Sequence, residues 1–225
     1  GPARGAAAPA REAGAQGGRG PNFVFSVAAD GLLRSLIPDT GDLAAAPAPL
    51  LPPNAAGTGL IWADGYVYAA TVNACGGAPT AVFAMDYLAD GKPVTTWDAR
   101  GAAIAGFSLG TDGVVYVATG GGNSPYANSV VALDGKTLKV RDWYTASGAP
   151  FLSTPVVLSE GSRTYVVATT SAGIHLLNAA SLGGVDHRTA LSGPRPAADV
   201  RWTTEAVATW RDAAEFMALG AGNVQ

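Results

Sequence analysis

A phrase that returns at a fixed interval constrains this chain more than any other feature. Asp64-Gly65-Tyr66-Val67-Tyr68-Ala69-Ala70-Thr71 comes back as Asp112-Gly113-Val114-Val115-Tyr116-Val117-Ala118-Thr119, with Gly65 and Gly113 48 residues apart. Met85-Asp86 and Leu133-Asp134 keep the same spacing, and a looser third copy from Glu160 to Thr169 puts Gly161 another 48 residues on. A single-core domain has no reason to repeat itself in this way. Short apolar runs and turns recurring at this period mark small sheets that stack on one another, because none can bury both faces alone.

The runs between turns read as strands. Asp-Gly or Glu-Gly opens a hairpin in each copy, since glycine supplies the positive φ of a tight turn. One unit spans 58–101, with strands Leu60–Ala63, Tyr66–Val72, Ala81–Tyr87 and Val94–Trp97. The next spans 102–149, with Gly106–Leu109, Val114–Thr119, Ser129–Leu133 and Val140–Tyr144. A third spans 150–193, with Pro155–Leu158, Tyr165–Thr170, Ile174–Asn178 and a weak last strand near Asp186–Ala190. Partial units flank them at 23–57 and 198–225; the latter offers Ala206–Trp210 and Glu215–Leu219. Four short antiparallel strands per period and almost no helical periodicity predict an all-β fold, a β-propeller of four-stranded blades. Four to five blades are an incomplete part of a larger ring of up to eight. Combining the first and last partial units would close a smaller, four-bladed ring instead.

Residues 1–22 differ in kind. They are Ala, Gly, Pro and Arg with no large apolar side chain, too little to offset the entropy of ordering, so they read as an arm or linker. The chain begins with Gly rather than Met, as after removal of a leader or a tag.

Composition excludes several classes. With 14 basic and 17 acidic residues the net charge is −3, which leaves no basic face for nucleic acid or anionic lipid. No apolar run reaches membrane-spanning length. The one cysteine, Cys75, rules out an intrachain disulfide and reads as a small buried hydrophobe.

The repeat has a recognisable detail. Val115-Tyr116-Val117-Ala118-Thr119, then Val130-Val131-Ala132-Leu133-Asp134, a Gly-Lys and the later Trp143 resemble the PQQ-like (quinoprotein-type) propeller repeat. Phe83-Ala84-Met85-Asp86, Gly91-Lys92 and Trp97 resemble it too, as do Ser26 to Gly31 with Asp39-Thr40-Gly41. The resemblance covers about residues 23–219 and is nearest to uncharacterised exported bacterial propellers of this type. It implies structural roles for the recurring residues: Gly65, Gly113 and Gly161 in turns, Asp86 and Asp134 closing the third strand, Trp97 and Trp143 packing an outer strand on its neighbour. It also implies a periplasmic or extracellular location in a bacterium. Quinoprotein dehydrogenases add a vicinal cysteine pair, a catalytic Asp and Glu/Asn calcium ligands, and this chain has no cysteine pair. No catalytic position carries over.

Other chemistry is thin. Gly120-Gly121-Gly122-Asn123-Ser124 reads as a flexible loop, lacking the lysine and helix of a phosphate cradle. His175 and His187, with Asp186 or Asp199, would make a metal set only if the fold joined them; as satisfied or solvated histidines they do not. Asp112, Asp134 and Asp142 read as turn caps, and Ser108, Ser153 and Ser171 have no nucleophile context. The expected function is therefore a non-catalytic scaffold or binding module, with other protein chains or the remainder of the propeller as partners and no cofactor. The alternatives are the N-terminal part of a PQQ- and calcium-dependent dehydrogenase, or a subunit of an extracellular filament or surface complex docked through the arm.

Overall fold

A computed structural model describes residues 23–195 and the backbone of two further strands, Thr204–Thr209 and Phe216–Gly220. The expected arm 1–22 lies outside the described residues.

Blade 1 contains β1 (Val24–Val27), β2 (Leu32–Leu36) and β3 (Ala48–Pro49). Blade 2 contains β4 (Ala56–Ala63), β5 (Tyr66–Val72), β6 (Ala81–Asp86) and β7 (Val94–Asp98). Blade 3 is β8 (Ala102–Leu109), β9 (Val114–Gly122), β10 (Ser129–Asp134) and β11 (Val140–Thr145). Blade 4 is β12 (Val156–Glu160), β13 (Arg163–Thr170), β14 (Gly173–Asn178) and β15 (Ser192–Arg195), and β16 (Thr204–Thr209) pairs with β17 (Phe216–Gly220) in a separate sheet. Every pairing is antiparallel between sequence neighbours. This is an arc of propeller blades. The sheet β16–β17 does not join β1–β3, so the two partial units do not merge into one blade.

The middle strands are buried on both faces, which is why they read as continuous apolar runs. In blade 3, Val115, Val117, Val131 and Leu133 pack with Tyr68, Ala70, Val82, Ala84 and Trp97 of blade 2. Their sequence neighbours Val114, Tyr116, Ala118, Val130 and Ala132 pack with Val166, Ala168 and Leu177 of blade 4. Blade 2 repeats the logic, with Val67, Ala69, Phe83 and Met85 turned to Leu33 and Leu50 of the first unit. Each fully buried side chain of this size contributes about 1.5–3 kcal/mol, and the contribution exists only with the neighbouring blade in place.

The recurring turn residues share local geometry. Gly65, Gly113 and Gly161 have φ of +85°, +72° and +58° in the β4–β5, β8–β9 and β12–β13 turns. Asp86 Oδ1 accepts from the Ala89 amide, and Asp134 Oδ1 accepts from the Lys136 and Thr137 amides, each fixing the turn after the third strand.

Three expectations need correction. Gly120–Gly122 is not a loop: β9 runs through it, Gly122 pairs with Ala102, and a Cβ at Gly122 would lie 2.0 Å from the Gly101 carbonyl oxygen. The last strand of blade 4 is Ser192–Arg195, not Asp186–Ala190. Cys75 is exposed in a short 3-10 turn, Cys75–Gly77, not buried.

Candidate functional site

Blades 1 and 2 meet in a half-open aromatic cluster. Phe25 comes from β1, Trp62 from the end of β4 and Tyr87 from the turn after β6. The β4–β5 hairpin and the β6–β7 turn lie at the same end of the blade, which brings Trp62 and Tyr87 together. Phe25 stacks on Trp62 at 5.1 Å between centroids. Tyr87 stands edge-on to both, at 5.3 and 5.6 Å, and Phe23 adds a fourth ring 6.4 Å from Phe25. Tyr87 Oη donates to Ser35 Oγ at 2.9 Å, and Lys92 Nζ sits 4.5 Å above the Tyr87 ring. Both contacts hold the Tyr87 ring, while Trp62 stays 43% exposed and nearby Leu88 74% exposed. A rigid, exposed aromatic surface with one cation at its rim suits docking of a protein surface. The sequence signalled the strands carrying these residues; their convergence depends on the blade 1–blade 2 packing.

At the same junction, beside the β1–β2 turn and the β3–β4 connection, lies a cleft of about 370 Å³ lined by Val27, Ala28, Gly31, Leu51, Gly57 and Leu60 among others.

Two histidines play unrelated parts. His175 is buried between Tyr144 and Phe151. Its Nδ1 is 3.0 Å from Tyr144 Oη and its Nε2 3.0 Å from Thr170 Oγ1. One proton arrangement satisfies every donor: Tyr144 donates to Nδ1, Nε2–H donates to Thr170 Oγ1, and the Thr170 hydroxyl donates to the Gly173 carbonyl. Burial pushes the His175 pKa down to about 4, so it is a neutral core residue.

His187 lies on the segment between β14 and β15, which crosses to the outer edge of blade 3. The His187 carbonyl accepts from the Thr145 amide, and its ring stacks on Trp143 at 3.6 Å. Nδ1 donates to Asp142 Oδ1 at 3.0 Å and to the Trp143 carbonyl at 3.2 Å. Asp142 Oδ2 accepts from the Leu182 amide. Asp142 therefore anchors a strap from the next blade, while its Oδ1 also accepts from the neighbouring Trp143 amide at 2.8 Å. Trp97, Tyr126 and Trp143 continue the ring series at 5.7 and 5.9 Å. Trp97 is buried in the blade 2–blade 3 interface, and Trp143 is sandwiched at the strap.

No metal set forms. His175 and His187 are engaged separately, Asp199 lies outside the described residues, and among the described residues no three His, Cys, Asp or Glu groups converge. Among the described residues no helix is long and apolar enough to cross a membrane. Of the serines, Ser153 Oγ bonds Thr169 Oγ1 at 2.8 Å and Ser108 Oγ is buried without a partner; neither sits beside a base.

No family model and no curated protein matches the chain. Among solved structures it is similar to Saccharomyces cerevisiae Sqt1, at 12% identity and a TM-score of 0.44, over 69% of this chain and 41% of that one. The chain thus spans about two-fifths of that protein's length, and a likeness at this level says nothing of what this chain binds.

Proposed function

We propose that this chain is the blade-bearing part of a β-propeller scaffold that docks another protein through the Phe25–Trp62–Tyr87 surface. The observation that carries the reading is the rigid ring cluster that leaves Trp62 and Leu88 open to solvent. Monomer surfaces seldom display such side chains together without a partner, and aromatic residues dominate interface energetics. The Ala-Leu-Asp, Gly-Lys and Trp resemblance adds a bacterial envelope or extracellular setting to the proposal.

Photo-cross-linking in the native cell tests it. A photoreactive residue at position 88 should trap one protein, and the adduct should fall about 30-fold with Trp62→Ala, equivalent to roughly 2 kcal/mol of binding. The same residue at exposed position 191 is the control. Equal labelling from positions 88 and 191 would exclude docking at the aromatic surface.

A further inference from the structure

Blade 4 departs from the repeat at two residues and blade 3 at one, and all three line the same cleft. The strand registers give the correspondence. Tyr66, Val114 and Tyr165 pair with Asp86, Asp134 and Asn178, so the aspartate of blades 2 and 3 has become an asparagine in blade 4. Two residues before the first member of each pair stand Asp64, Asp112 and Arg163, so here an aspartate has become an arginine. The third departure is in β11. Ala132 pairs with Asp142 and Leu133 with Val140, which makes Arg141 the extra residue of a bulge. β7, the matching strand of blade 2, pairs with β6 without one. Bulges re-aim side chains and gather beside active sites.

The cleft measures about 580 Å³ and lies between blades 3 and 4, within the size range of small-molecule sites. Asp112, Asp142, Ser162 and Thr164 are its other polar walls. Both carboxylates are engaged by the protein itself. Asp112 accepts from the Val114 amide and Tyr116 Oη, and Asp142 from the Trp143 and Leu182 amides and His187 Nδ1. Asn178 Oδ1 accepts from the Ala180 amide. The donors are largely unspent. Arg141 gives Nη2–H to Asp134 Oδ2, one of its five N–H groups. The Arg163 side chain has no ion-pair or hydrogen-bond partner among the described residues, and neither have the Ser162 and Thr164 hydroxyls.

The hydrogen-bonding capacity left in the cleft is therefore mostly donor, and two of its donors are guanidinium groups. Such forks match the oxygens of a carboxylate or a phosphate. Asp112, Asp134 and Asp142 would repel a second negative charge on the ligand, which favours a single carboxylate. The hydroxyls and the Asn178 amide suit hydroxyl groups beside it. We propose that this cleft binds a small hydroxylated carboxylic acid of the sugar-acid class, its carboxylate on Arg141 and Arg163 and its hydroxyls on Ser162, Thr164 and Asn178. The site goes beyond the Phe25–Trp62–Tyr87 surface and does not depend on it.

The test follows the arginine Nε–H resonances of the full chain by NMR as D-glucuronate is added. The Arg141 and Arg163 signals should shift saturably, and D-glucose should leave them in place. Variants that restore the repeat residue should keep the fold, because blades 2 and 3 carry aspartate at those positions. Arg163→Asp should abolish the shift at Arg141. Asn178→Asp should weaken binding about tenfold by setting a carboxylate against that of the ligand. Trp62→Ala should leave glucuronate binding unchanged while weakening the cross-link from position 88, which separates this site from the aromatic surface. Absence of a saturable shift with D-glucuronate would overturn the proposal. So would equal shifts with D-glucose, tighter binding of inorganic phosphate than of glucuronate, or unchanged affinity in Arg163→Asp.

Discussion

At the scale of single residues, His175 makes the fold sensitive to acid. Its folded pKa is about 4 against about 6.5 unfolded. The folded state thus binds fewer protons, and stability is lost as pH falls from about 6.5 through about 4. Full protonation would cost about 3 kcal/mol. Denaturant titrations should show this loss in the native chain, whereas His175→Leu, less stable at neutral pH, should lose less on acidification. Equal pH dependence in both would show that other groups govern the transition. Threonine shows how far one residue could be read in advance. Thr71 and Thr119 close successive copies of the repeat, and each accepts a buried amide, of Ala81 and Ser129. Thr169 closes the third copy and bonds Ser153, where only two residues join β13 to β14. Recurrence marked these positions; the tertiary structure decided the partner.

At the scale of elements, the strap between β14 and β15 is the departure from the repeat. Its composition resembles a weak strand, and the period places one near Asp186–Ala190. Yet Leu182 is buried with blade 3, His187 stacks on Trp143, and Asp142 accepts from both Leu182 and His187. A Cβ at Gly183 would lie 2.6 Å from the Trp143 carbonyl oxygen, so the strap runs hard against β11. Asp142→Ala should cost about 1–3 kcal/mol by leaving the Leu182 amide without its acceptor. Limited proteolysis should then cut near fully exposed Val185 faster than in the native chain. Unchanged cleavage would mean that Trp143 stacking alone holds the strap. Nothing in the local sequence distinguishes an edge-covering strap from a strand, because both are extended.

At the scale of the molecule, stability is distributed over blade interfaces rather than one centre. Leu133 is fully buried in the blade 2–blade 3 cluster. Leu133→Ala should cost about 2–5 kcal/mol. Hydrogen exchange should accelerate in β5, β6, β9 and β10 and leave β13 and β14 nearly unaffected. Uniform acceleration through blades 2 to 4 would instead show one cooperative unit. The Phe25–Trp62–Tyr87 surface belongs to this scale as well, since its three rings come from two blades.

What the sequence determined by itself was the architecture: all-β, strands of known order, hairpins at Gly65, Gly113 and Gly161, and blades about 48 residues apart. These follow from local periodicity and turn chemistry, which act over a few residues and recur with the repeat. Tertiary structure alone decided which side chains meet between blades: the aromatic surface, the buried His175 and the strap on Asp142. Each joins residues far apart in the chain, and their meeting depends on how twisted sheets stack, a geometry no single repeat contains.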